Sequence, residues 1–215
     1  MSESPEHSGQ TASTSALSSP AVRLVHGTAS ITDLNEFLAA LDAIAEETGA
    51  VVQAFDADLV VSEGHLREAA RLAARSIARG EAVARDPGVE VLLYAAGRRQ
   101  IDRALALGVS EGDQRTVVLV ADFGSVSGAE RSVADLEAAV ESIAEELRSV
   151  DDGTTSDDGT TSDDRSSTSD SDSLLNYDAN RVREFYGVTD RELAATVGDL
   201  ADIVRERVAL LDVEK

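Results

Sequence analysis

From Val89 to Ala95 the chain reads Val-Glu-Val-Leu-Leu-Tyr-Ala, apolar except for Glu90, and Gly97 follows two residues later. A run of that length fills one buried strand, and a glycine beyond it suits a sharp turn. Arg98, Arg99 and Gln100 come next, followed by Ile101-Asp-Arg-Ala-Leu105. This spacing predicts a short helix over 98–107 that stops at Gly108, with Ile101, Ala104 and Leu105 in the core. Strand-to-helix junctions expose backbone N–H groups that favour anions. Two arginines at such a junction stand out in a chain of net charge -22.

Apolar patterning places the other elements. Val22 to His26, Ala50 to Phe55 and Thr116 to Ala121 read as strands. Thr32 is the predicted cap of a helix whose apolar set is Leu34, Phe37, Leu38, Leu41, Ile44 and Ala45, with Gly49 as its stop. Ser62 caps a second helix running to about Arg79. Ser132 to Val150 reads as a helix with Val133, Leu136, Val140, Ile143 and Leu147 inward. Ala179 to Tyr186 reads as a short helix. Thr189-Asp-Arg-Glu192 is a capping box for a last helix reaching about Asp212. Strands alternating with helices argue for an α/β chain with one sheet covered by helices, in an order the sequence does not specify.

Two segments stand apart. Residues 1–20 are rich in Ser, Thr and Glu. Residues 151–173 hold eight Asp and one Arg around a tandem Asp-Asp-Gly-Thr-Thr-Ser repeat. Neither has the apolar surface to offset chain entropy, so both are expected to be disordered. The expected organisation is a single globular domain over 21–215, interrupted by that insertion.

The 41 acidic residues face 19 cations, of which only Lys215 is lysine. Such a surface is of the halophilic type, soluble where salt screens fixed charges. The lack of Cys excludes disulfides, thiolate metal sites and a Cys nucleophile. Three His (His7, His26, His65) leave little for a metal site, and no cofactor motif is present. No apolar run reaches the length of a membrane span, and the N-terminus does not read as a signal peptide. The expected compartment is the cytoplasm.

Residues 62–107 break the acidic trend, with eight Arg against six carboxylates. Arg67, Arg71, Arg75 and Arg79 recur every four residues and make one stripe, with few carboxylates on that helix placed to pair with it. The stripe and Arg98 and Arg99 together read as a polyanion site. Arginine suits this role, because its planar fork grips phosphate with two bonds and stacks on bases. Gln100 is able to read a base edge, Gly97 permits the strand-to-helix turn in a way compatible with anion binding, and His65 sits in the first turn beside the stripe. A protein-only adaptor, whose arginine-rich face binds an acidic partner, is the alternative. Asp122-Phe-Gly124 imitates a kinase metal-binding triplet. The Gly-rich loop, strand lysine and catalytic loop of a kinase are all missing, and the chain offers no plausible nucleophile, metal site or acid–base pair, so no enzymatic activity is expected.

Three blocks carry a family resemblance: Leu93-Tyr-Ala-Ala-Gly-Arg-Arg-Gln-Ile-Asp-Arg-Ala-Leu105, Asp58-Leu-Val-Val-Ser-Glu-Gly-His-Leu-Arg-Glu-Ala69, and Val182-Arg-Glu-Phe-Tyr-Gly-Val188 with Val208-Ala-Leu-Leu211. Together they resemble the small tRNA-binding subunit of the KEOPS complex, the PRPK-binding protein family. The resemblance implies a mixed α+β fold with a largely antiparallel sheet and a helical C-terminus. It implies a non-catalytic subunit that binds the 3′ CCA end of tRNA and docks on the atypical kinase-ATPase subunit. The complex makes threonylcarbamoyladenosine, so the catalytic threonylcarbamoyltransferase subunit would be an indirect partner. Gly97, Arg98, Arg99, Gln100, His65, Arg67, Arg71 and Arg75 are then the expected tRNA-binding residues. Leu193, Val197, Leu200 and Val204 of the last helix, mostly core, are the expected partner-binding ones. The acidic insertion and the missing lysines depart from the family pattern.

Overall fold

Val117-Val-Leu-Val-Ala121 alternates its side chains between two faces, and both faces are covered. In the computed structural model, which describes residues 19–126, 131–151 and 176–212, this run is the middle of a three-stranded sheet. The strands are β1 (Ala21–Ile31), β2 (Val51–Asp56) and β3 (Gly112–Asp122), in the order β1-β3-β2 and all antiparallel. Val22 and Val51 both lie opposite Ala121, and His26 and Phe55 both lie opposite Val117. That register gives one face Val22, Leu24, Val51, Phe55, Val117, Leu119 and Ala121.

Eight α-helices are present among the described residues: α1 (Leu34–Thr48), α2 (Glu63–Ala78), α3 (Pro87–Ala95), α4 (Ile101–Ala104), α5 (Leu136–Asp151), α6 (Ala179–Tyr186), α7 (Asp190–Ala195) and α8 (Leu200–Leu211). Helices α2, α3, α6 and α8 cover the Phe55 face through Leu66, Leu92, Val182 and Val204. Helices α1 and α5 cover the other face, where Phe37, Leu41 and Ile143 meet Val118 and Val120. Each such buried side chain contributes about 1.5–3 kcal/mol relative to exposure. The class is therefore α+β with a helical C-terminus, and the sheet is wholly antiparallel among the described residues.

The run 89–95 is a helix, not a fourth strand. The Asp86 side chain accepts the N–H of Val89 at 2.8 Å, and Pro87 opens the helix, where its missing N–H costs nothing. All of Val91 to Ala95 is buried, so no polar phase betrays the helical period. Glu90 is 1% exposed and accepts the backbone N–H groups of Val83 and Ala84 at 3.0 and 2.9 Å. It pins the preceding loop.

Other boundaries shift for local reasons. Asp33, not Thr32, caps α1, accepting from Asn35 and Glu36. Gly49 (φ 71) ends α1, and Ser62 caps α2, both as anticipated. α5 begins at Leu136, leaving Val133 outside it and 73% exposed. The predicted last helix is two. α7 stops before Thr196, and a second capping box, Asp199 with Asp202, starts α8. α4 begins at Ile101, and Ile101 and Leu105 are 41% and 52% exposed rather than core. The segments 1–20 and 151–173, apart from residues 19, 20 and 151, lie outside the described residues.

Candidate polyanion-binding face

Gly97 (φ 60) follows the last turn of α3. The N–H of Arg98 donates to Leu93 O at 3.1 Å, and the N–H of Gly97 donates to Tyr94 O at 2.9 Å. These are the two bonds of a Schellman stop, so Gly97 ends a helix instead of opening one. Arg98 and Arg99 precede α4, and their surroundings are helix C-termini. The expected anion-favouring N-terminus is replaced by carbonyl ends that favour cations.

The arginines use those ends. Arg98 donates to Phe185 O in the last turn of α6, and its guanidinium lies 4.7 Å from the centroid of the Phe185 ring. Arg207 of α8 donates to Tyr186 O and, at 2.7 Å, to Glu192 Oε1. Arg99 donates to Leu211 O, the end of α8, at 2.8 Å. Burial, with Arg103 and Arg207 close by, lowers the Arg98 pKa from its usual value, which marks a crowded cationic neighbourhood.

The stripe on α2 approaches the same end of α8. Arg75 Nη2 lies 3.7 Å from Asp212 Oδ2, and Tyr94 reaches Asp212 Oδ1 at 3.3 Å. Arg75 Nε is buried without a hydrogen-bond partner. Arg71 grips Glu68 with two bonds, at 2.8 and 2.6 Å. That bond pulls the Glu68 pKa down and pushes the Arg71 pKa up. Arg79 lies 3.7 Å from Glu81. Arg67 sits two turns away beside β1, donating to Val22 O and Glu63 at 3.0 Å each. The expectation that few carboxylates on this helix are placed to pair with the stripe is corrected. Glu63 and Glu68 stand at i,i+4 and i,i+3 from Arg67 and Arg71 on the same helix. Such half-exposed pairs are worth little, ~0–1 kcal/mol, and their outer N–H groups remain open to exchange.

The structure thus brings Arg71, Arg75 and Arg99 to the Leu211–Asp212 end of α8, with Arg98 next along the chain. Gln100 is exposed at the cap of α4. His65 lies beneath this surface. It is 0% exposed, and its Nε2–H donates to Ala95 O at 2.8 Å. Burial lowers its pKa to about 4, so the ring is neutral at pH 7. Of the residues expected to bind a partner, Leu200 and Val204 are buried in the core, Leu193 is half-buried, and Val197 is fully exposed.

Sequence reasoning overlooked Phe185 and Arg207, which complete this face, and Tyr186, which is buried beneath it. An adjacent aromatic pair in a chain of only 3% aromatic residues was the available signal. It also overlooked Arg181, which fastens α6 to the turn after β2 through Asp56 and Asp58, at 2.5 and 3.2 Å.

Asp122 of the Asp-Phe-Gly triplet is 5% exposed, and its Oδ1 accepts the N–H groups of Gly124, Ser125 and Ala134. It shapes a loop. No cluster of potential metal ligands occurs among the described residues, and none of their helices is long and apolar enough to cross a membrane.

No curated protein matches the chain. A family profile described as kinase binding protein CGI-121 matches residues 29–212, nearly the whole folded region. The chain belongs to that family of kinase binding proteins.

Proposed function

We propose that this chain is a non-catalytic subunit of the KEOPS tRNA threonylcarbamoyladenosine complex, docking on its atypical kinase-ATPase while the arginine face holds the 3′ CCA end of tRNA. One observation carries the RNA part. Arg71, Arg75 and Arg99 gather at the end of α8, beside the Arg98–Phe185 stack. A single-stranded end exposes both phosphates and unstacked bases. Guanidinium planes serve both, by paired hydrogen bonds and by stacking. These contacts act at short range, so they persist at ~1 M salt, where the screening length is about 3 Å. Helix-end carbonyls hold Arg98 and Arg99, the carboxylates of Glu68 and Asp212 stand against Arg71 and Arg75, and the outer N–H groups are left for ligand. The kinase part rests on family membership. The catalytic step belongs to another subunit.

The test is tRNA affinity with and without the terminal CCA. A loss of at least about tenfold on removing CCA is expected, because stacking contributes ~1–3 kcal/mol per base. Equal affinity rejects the reading.

The second reading, a protein-only adaptor, draws on the carboxylates already paired with Arg67, Arg71 and Arg207. It requires the arginine face to capture an acidic partner that survives ribonuclease treatment.

A further inference from the structure

Where α1, β2 and the start of α3 meet, a groove of about 540 Å³ opens to solvent. Its floor is Val52 and Ala54 of the outer strand β2. Leu38, 37% exposed, and Leu105, 52% exposed, stand at its walls. Leu105 is held there by the 3-10 turn that continues α4 to Gly108. The charged residues lining the groove are Asp42 and Asp86, both acidic. An adjoining cleft shares Asp42, Asp86 and Val52, and adds Glu46 and Arg131.

This chemistry selects its occupant. Exposed leucines around an apolar floor want an apolar anchor from another protein, since carboxylates at the rim repel phosphate and anionic lipid. The same carboxylates favour an anchor flanked by Lys or Arg. The groove lies at the Asp86 end of α3 and the arginine face at its Gly97 end. A ligand seated in one therefore leaves the other open.

We propose that this groove docks the kinase partner, through an apolar side chain set beside a basic residue, and that kinase and polyanion are held at the same time. The proposal rests on the kinase-binding reading given above and adds its location. Leu105 is the anchor contact, and Asp42 supplies the charge.

The experiment titrates the full chain with its atypical kinase by calorimetry, in parallel with tRNA. Variants Leu105→Asp and Asp42→Lys are compared with wild type. Both positions are exposed, and equal melting temperatures confirm the folds. Leu105→Asp is expected to weaken kinase binding at least about tenfold, and Asp42→Lys about threefold, with tRNA affinity unchanged in both. Unchanged kinase affinity in both folded variants removes the groove while leaving the kinase-binding reading intact. A wild-type chain that does not bind the kinase overturns both. A dimer in sedimentation velocity that Leu105→Asp dissolves assigns the groove to a second copy, and overturns the proposal.

Discussion

His65 Nε2 lies 2.8 Å from the carbonyl oxygen of Ala95, and ties the first turn of α2 to the last residue of α3. The Tyr186 hydroxyl donates to the same oxygen at 2.9 Å, which brings in α6. Three helices therefore meet on one carbonyl, directly under Gly97 and Arg98. All three groups are buried, so their bonds form away from competing water. The arginines above are positioned by this knot.

The knot makes stability depend on pH. His65 has a folded pKa of about 4 against 6.5 in the unfolded chain, chiefly through burial. Between these values the unfolded chain binds more protons, so stability falls as pH drops from 6.5 to 4 and is complete above 6.5. The loss from this residue reaches ~3 kcal/mol. His65→Gln keeps a donor for Ala95 O but does not titrate. Urea midpoints measured at constant salt from pH 7 to 4.5 should fall less steeply in this variant. Parallel profiles would show that His65 plays no part.

Gly97→Ala should destabilise the protein without disturbing its surface charge. At φ 60 a Cβ costs ~1 kcal/mol, and here it would also stand 3.4 Å from Arg207 Cβ. A total of ~1–2 kcal/mol lowers the melting temperature by roughly 2–8 °C for a chain of this size. Gly97→Asn, which tolerates the left-handed region better, should fall between the two. Equal melting of all three would remove the Schellman stop as a determinant.

Asp122→Ala deletes the acceptor of three backbone N–H groups around the loop after β3. Leaving them unsatisfied should cost ~2–4 kcal/mol in denaturant unfolding. Asp122→Asn retains an acceptor oxygen and should cost less. A neutral alanine variant would contradict the buried role given to this carboxylate.

Local signals were the legible ones. Ser62, Gly49 and the bounds of α6 follow from caps and helical spacing over a few residues. α3 was hidden because packing surrounds it, and burial on every side erases the polar phase that separates a helix from a strand. Only Asp86-Pro87 marked its start. The split of the last helix was written in Asp199 and Asp202, behind an earlier capping box that masked it. At the face, the i,i+4 arginines and their glutamates were readable together. The anchoring of Arg98 and Arg99 was not, because Phe185 and Leu211 lie 87 and 112 residues away. Tertiary structure alone brings those carbonyls within reach.

The decisive variant for the RNA face is Arg98→Glu with Arg71→Glu. Arg98→Glu removes the bond to Phe185 O and the ring contact, at a cost of about 1–2 kcal/mol. Arg71→Glu places like charges beside Glu68 on a half-exposed turn, a cost of only ~0.5 kcal/mol. The fold should therefore survive, as a single cooperative melt would show. Two reversed cations should weaken tRNA retention at least about tenfold, to a level still measurable at low salt. They should also flatten the dependence of log affinity on log salt by at least about 1.4, two contacts at ~0.7 each for a single strand. Filter binding across a potassium chloride series reads both quantities. A folded double variant that retains tRNA with the wild-type salt slope would place the RNA contacts elsewhere on the molecule.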